Sequence, residues 1–294
     1  MRAVHSRPRW VSLAAALLAV VAASRPVFAQ QGGSSAAAVG MPFGPWRLPD
    51  SLFRAPFTGT ILALDPDDAL AHLEAARQAH MRVFIILEEA RRRHQNPDKS
   101  FSLPKWKREI ERFRGTDFAP YVADGTLLGH LLIDEPHDPT NWNGSPIPYA
   151  VIDSAAAFSK ALWPTLPAGV ASPPTFLADA RWSALDWSFA QYRPNKGDLT
   201  PWLARQVAAA RRSGLALVLS INVLDGNGRD APLDANQLRR FGLAMTGVDD
   251  ACALTMWRYD VKDPSYFQRP DIGAAVAAIG AAAAGHPVRS CRRR

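Results

Sequence analysis

From residue 59 onward, short apolar runs alternate with longer stretches of helical spacing, and that alternation predicts the architecture. "GTILAL" (59–64) reads as a strand opened by glycine, and "VFIIL" (83–87) is the uninterrupted β-branched and aromatic run of a strand covered on both faces. Further strands are predicted at "LLGHLLI" (127–133), "GVAS" (169–172), "LDWSFAQY" (185–192), "LALVLSIN" (215–222) and "CALTMWRY" (252–259). Helices fall between them. The first runs from Asp65-Pro66 to about His80, with Asp65 as N-cap and Leu70 and Leu73 on its apolar face. The next starts near Pro104 and stripes Trp106, Ile110 and Phe113. Others cover 149–163, the segment opened by Thr200-Pro201, about 236–245 and 272–284.

Buried-type strands alternating with helices mean α/β with a parallel sheet. Seven strands are legible, and the segment 88–126 offers helices but no convincing strand, so an eighth is missing, degenerate or misread. A (β/α)8 barrel fits best. A doubly wound open sheet is the alternative, but no GxGxxG or P-loop follows any strand.

The first residues are set apart. Arg2, Arg7 and Arg9 precede an apolar core from Val11 to Ala23, and Val27-Phe28-Ala29 carries small residues where a signal peptidase reads. The core is shorter than the roughly 20 residues that span a bilayer. Residues 1–29 are therefore expected to be a cleaved signal peptide and 30–40 a flexible linker, with one domain over 41–294 and a secreted or periplasmic destination. A monomer with no membrane attachment after cleavage is expected.

That division changes the meaning of the charge. The formal +7 includes four arginines of the leader, so the remainder has 30 basic and 27 acidic residues, an excess of three. Arg292, Arg293 and Arg294 account for it. The one internal basic cluster, Arg91-Arg92-Arg93, reads as a solvated loop, and nucleic acid is not expected as a partner. Cys252 and Cys291, in a chain bound for an oxidising compartment, are candidates for a disulfide that fastens the C-terminal tail, with two free thiols as the alternative.

In a barrel all strand C-termini open on one face, where barrel enzymes place their sites. Those ends supply Leu64-Asp65, Glu88-Glu89, Asp134-Glu135, Gln191-Tyr192-Arg193, Asn222 with Asp225, and Trp257-Arg258-Tyr259-Asp260. Carboxylates and amides match sugar hydroxyls, and aromatic faces stack on pyranose rings. Glu88, Asp134, Asn222 and Tyr259 are thus candidate sugar contacts, with Trp142, Trp187, Tyr192 and Trp257 as platforms. The bland reading of Trp187 and Trp257 is that they fill the barrel, and that of His130 is a core histidine. Successive side chains of a strand face opposite ways, so Asp134 and Glu135 are not expected to point inward together.

The strand ending "IDEP" in this layout resembles the large group of (β/α)8-barrel glycoside hydrolases, over about residues 56–285. In many of them a mid-barrel strand ends Asn-Glu-Pro, and the glutamate is the general acid/base. The resemblance carries that role to Glu135, with Asp134 where the asparagine stands and Pro136 retained. Barrel families of unassigned function with Asp-Glu-Pro at a strand end are similar too, and no specific family is named. One departure is sharp: retaining members carry a second glutamate on a late strand, yet none of the six glutamates here follows Glu135.

Glycoside hydrolysis needs a second carboxylate, at about 5–5.5 Å for retention or 6.5–9.5 Å for inversion. Asp225 and Asp260 are the late-strand candidates, with Glu88 or Glu89 as further ones. The expectation is a carbohydrate-binding barrel that hydrolyses glycosidic bonds, with Glu135 as proton donor and no cofactor. The second hypothesis is a non-catalytic barrel that binds glycan or a protein. A third is a metal-dependent phosphohydrolase using Asp134, His137 and Asp138; with no second histidine at ligand spacing, it ranks below the other two and no metal is expected.

Overall fold

A computed structural model describes residues 40–88 and 90–294. The expected leader and all of the linker but Gly40 lie outside the described residues, as does Glu89. Eight parallel strands follow one another around a ring: β1 (Phe43–Pro45), β2 (Gly59–Ala63), β3 (Arg82–Ile86), β4 (Leu127–Asp134), β5 (Ala168–Ala171), β6 (Trp187–Tyr192), β7 (Ala216–Asn222) and β8 (Ala251–Trp257). The helices between them include α1 (Ala69–Gln78), α2 (Leu103–Glu111), α3 (Ala119–Ala123), α4 (Tyr149–Leu162), α5 (Pro174–Leu177), α6 (Leu199–Ser213), α7 (Ala235–Thr246), α8 (Ser265–Gln268) and α9 (Pro270–Ala284). The ring closes where β1 pairs with β8 and Trp46, just past β1, bridges to Ile61 of β2. This is the (β/α)8 barrel.

The missing strand lies at the start of the domain, ahead of the seven that are legible. "FGP" carries no run for periodicity to detect, and its glycine and proline are poor strand formers. Gly44 is there because a Cβ would sit 2.0 Å from the Gly59 carbonyl oxygen; β1 approaches β2 backbone to backbone. The segment 88–126 contains α2 and α3 and no strand among its described residues.

Helix α1 differs from expectation. It begins a turn later than the Asp-Pro signal suggests: Asp65 accepts the Ala69 N–H through its backbone oxygen, and its side chain does not cap the helix. Leu70, in its first turn, is 44% exposed, while Leu73 stays buried. The stripe of Trp106, Ile110 and Phe113 packs inward as the spacing predicts.

Two aromatic and aliphatic layers lie between strands and helices, and a third fills the barrel. The filling centres on Trp187, fully buried and edge-on to Phe84 at 5.0 Å. Its indole occupies space left by a glycine on the neighbouring strand: a Cβ at Gly169 would lie 1.9 Å from the ring. Below it, Cys291 reaches in from the tail and is disulfide-bonded to Cys252 at the foot of β8. The terminal arginines that account for the excess charge are pins. Arg292 donates to the Thr165 carbonyl, Arg293 to that of Trp182 at 2.6 Å, and the Arg294 N–H to that of Gly214 at 2.9 Å. These carbonyls precede β5, β6 and β7, so the tail closes the N-terminal end of the barrel.

Candidate functional site

The C-terminal end carries a cleft of about 170 Å³ between β4, β6 and β8. Its aromatic wall is a chain of edge-to-face contacts: Trp46 meets Phe189 at 5.4 Å and Trp257 at 4.9 Å, both at 77°. The polar wall holds Asp134, Glu135, His137, Gln191, Arg193 and Lys196. A second lobe of about 110 Å³ shares Trp46, Asp134 and Trp257 and runs on to Arg47, Glu88, Arg91 and His94.

Strand β4 brings both adjacent acids to this cleft, against the expectation from alternation. Its ladder pairs Leu131 with Gly169 but Asp134 with Ala171, three steps on one strand against two on the other. This bulge turns Ile133 out to the layer under the helices and Asp134 inward. The chain then leaves the strand with Glu135 at φ +48°, left-handed backbone that non-glycine residues seldom adopt. Strict alternation ends at the bulge, so the two carboxylates line one cleft.

A single guanidinium ties them together. Arg91 Nη2 lies 3.1 Å from Asp134 Oδ2 and 3.6 Å from Glu135 Oε2. The two carboxylate oxygens are therefore no more than about 7 Å apart, which leaves out the wider separations of inverting hydrolysis. Arg91 also donates to Asn141 Oδ1 at 2.6 Å, and Asn141 Nδ2 donates to Glu135 Oε2 at 2.9 Å. Arg91 is thus a site residue and not part of a solvated loop. Nothing in "ARRRHQ" separates it from Arg92 and Arg93, because what selects it is the one-turn helix Arg91–His94 folding against the loop after β4.

Glu88, at the end of β3, is the titrating group of the second lobe. Burial pushes its carboxyl up to about 7, against the Ala90 N–H that it accepts at 2.5 Å, and nearby Glu109 adds to the rise. Burial also lowers the imidazole of His94 to about 4, with Arg91 contributing, so it is neutral at pH 7. His137 in the cleft wall is shifted downward by burial.

Several expected contacts are corrected by burial. Trp142 is 2% exposed, stacked on His94 at 5.7 Å, and its indole N–H donates to the Glu135 carbonyl; it props the acid loop from behind and presents no platform. Trp187 fills the barrel below the cleft. Tyr192 is 3% exposed because β6 turns Phe189 and Gln191 inward and Tyr192 outward, against Trp202 and Phe241. Asn222 is fully buried, donating to Gln191 Oε1 at 3.4 Å and accepting the Asp225 N–H, so it positions neighbours. Tyr259 lies outside both lobes, stacked on Phe267 at 5.6 Å. Trp257 is the one expected platform that lines the cleft.

Asp225 and Asp260 line a different depression on the other side of Trp257, with Arg258 and Arg269. The Lys262 N–H and Arg258 hold the Asp260 carboxyl below the usual range. Among the described residues, no late-strand carboxylate lines the Glu135 cleft. Asp138 caps the turn Pro139–Asn141. No group of three metal-ligating side chains occurs among the described residues. His130 is a core residue, bonded to Ser159 at 2.9 Å and neutral through complete burial.

Trp46 and Phe189 were missed from sequence, the first because β1 was not recognised. Gln191 and Arg193 stand in the strand-end collection beside Tyr192, and they, not Tyr192, line the cleft. The parity set by Trp187 on β6 was the available signal. Lys196 follows in the one-turn helix Pro194–Lys196, where sequence carried no cue.

No family model and no curated protein matches this chain. Solved structures do match, with the fold of glycoside-hydrolase barrels. An intracellular xylanase from Thermoanaerobacterium saccharolyticum has a TM-score of 0.53 at 12% identity, covering 76% of this chain and 87% of that one. A xylanase from Cellvibrio japonicus in complex with xylopentaose gives 0.54 at 13%, covering 87% and 69%. A glucosidase from Croceicoccus marinus gives 0.54 at 14%, covering 83% and 67%. The likeness lies in the fold of the chain and singles out no specific family.

Proposed function

We propose that this glycoside-hydrolase-like barrel is a secreted or periplasmic monomer that binds carbohydrate in the cleft and hydrolyses a glycosidic bond there. The observation that carries the reading is Glu135 held in left-handed backbone beside an aromatic wall at the C-terminal end of the barrel. Such a backbone costs on the order of 1–2 kcal/mol, a cost glycine would avoid, and strained residues of this kind cluster at functional sites. A carboxylate there has a use that glycine lacks.

In this reading Glu135 protonates the leaving oxygen. Asp134 is the second carboxylate of the cleft, oriented by Arg91, and serves the attack on the anomeric carbon or the water that performs it. Glu88, whose carboxyl stays partly protonated near neutrality, stands at the far lobe as a proton reservoir or sugar contact. Trp257, Trp46 and Phe189 line the apolar side for the sugar faces. Asp225 and Asp260, beyond Trp257, are given subsite roles and not the reacting centre.

Glu135→Gln tests it on a panel of polysaccharides. Loss of about 100- to 10,000-fold in turnover with sugar affinity kept supports proton donation; unchanged turnover rejects it. The absence of a late-strand carboxylate from the cleft favours a second reading, a non-catalytic glycan-binding barrel. Glycan binding by the native protein with no turnover of any bound sugar selects that reading.

A further inference from the structure

We propose that the cleft selects a sugar carrying an anionic group, a uronic acid residue, with Arg193 and Lys196 as the clamp for its carboxylate. This rests on the cleft being a carbohydrate site and adds the class of sugar.

The acids of the cleft are engaged from outside it, and its own cations are not. Arg91 is committed to Asp134 and Glu135. Arg193 and Lys196 line the same cavity, yet neither forms an ion pair or side-chain hydrogen bond with any group among the described residues. Among the described residues, both carboxylates of the cleft are thus already answered by Arg91 from the adjoining lobe, and the two cations of the cleft itself line it without an ion-pair partner. The turn Pro194–Lys196 follows β6 directly and is closed by the Lys196 N–H on the Arg193 carbonyl at 3.0 Å, which brings both residues round to one side.

A neutral sugar gives no reason for this arrangement. Two like charges held close repel, and elsewhere on this molecule arginines are answered by acids, as Arg211 is by Asp250 and Arg269 by Asp271. Lys196 is exposed at the lip of the cleft; partial burial of its ammonium and the neighbouring Arg193 shift it downward, and Glu135 opposes the shift less strongly. An incoming anion would relieve both. A guanidinium fork beside an ammonium suits a carboxylate, the first binding in two-point fashion and the second as a point charge. Opposite, Trp46, Phe189 and Trp257 offer apolar edges for the ring that bears it. His137, neutral through burial, adds no charge.

The test is calorimetric titration of the full chain with trigalacturonate and trimannuronate, with xylotriose and laminaritriose as neutral probes and a sulfated galactan trisaccharide as a third class. The proposal expects an acidic trisaccharide to bind about tenfold tighter than the neutral ones. Arg193→Gln with Lys196→Gln should abolish that preference, bringing acidic and neutral trisaccharides to comparable affinity, and leave the melting temperature in place. Arg193→Lys with Lys196→Arg keeps the charge and should restore much of it. Preference for the sulfated probe supports the same clamp with a sulfate ester as its anion. Equal or tighter binding of neutral sugars, untouched by the double variant, overturns the anionic selection while leaving the carbohydrate reading standing. No binding of any sugar overturns both.

Discussion

At the N-terminal rim of the barrel, charged and polar groups find each other. Asp186 accepts the Ala168 N–H and pairs with Lys160 at 2.8 Å, Arg82 donates to the Gly40 carbonyl, and Arg294 and Arg211 both hold Asp250. At the C-terminal rim, Arg193 and Lys196 face open space, Glu88 Oε2 is buried with no hydrogen-bond partner, and Glu135 sits in unfavourable backbone. The same strands end in both. One rim is arranged for the fold's own stability, and the other gives up stability to keep groups available. Buried polar groups without partners are costly, so their concentration at one end points to where the molecule meets something else.

Breaking the comparison begins at the filling between the two ends. Trp187→Ala should cost about 3–5 kcal/mol in urea unfolding, because neighbouring glycines leave nothing to collapse into the cavity. At the closed rim, Cys291→Ser removes the disulfide and should cost about 2–4 kcal/mol while the binding proposed for the far end is unchanged. At the open rim the sign reverses. Glu88 is raised in the fold from 4.5 to about 7, so the folded state binds its proton more tightly than the unfolded chain does, and this carboxyl withdraws stability as pH rises from 4.5 through 7. Glu88→Gln should therefore stabilise the protein by about 1–3 kcal/mol at pH 8 and by almost nothing at pH 4, read from melting curves at both. Arg91→Ala should change stability by only about 1 kcal/mol, since its partners are partly exposed, while sugar affinity or turnover falls. The smallest effect belongs to Arg293→Ala, an exposed pin, expected within about 0.5 kcal/mol and with no change at the cleft.

The sequence made most of the fold legible and half of the site. "VFIIL" and "LALVLSIN" are largely apolar runs, and such runs report burial on both faces without needing context, whereas "GVAS" is short and weak. β1 escaped because three residues with a glycine and a proline have no periodicity; pairing on both sides makes it a strand. Asp134, Glu135, Glu88 and Trp257 were found by reading strand ends, a rule of topology. Trp142, Tyr192 and Asn222 passed the same rule and face away or are covered, because a strand end says where the backbone stops and not where a side chain turns. Arg91 and Lys196 lie on one-turn helices whose path is set by what they pack on.

Local pattern thus determined on its own that this chain alternates strand and helix, that its acids and aromatics gather where strands stop, and that no late glutamate completes a familiar pair. Those properties depend on spacing and residue type along the chain. Tertiary structure alone decided that Asp134 and Glu135 turn to the same side, that one arginine of three serves them, that two cations without ion-pair partners line the same cleft, and that the terminal arginines seal the other end. Each of these depends on a bulge, a left-handed residue or a distant partner brought within a few ångströms, and separation in space is not written in separation along a chain.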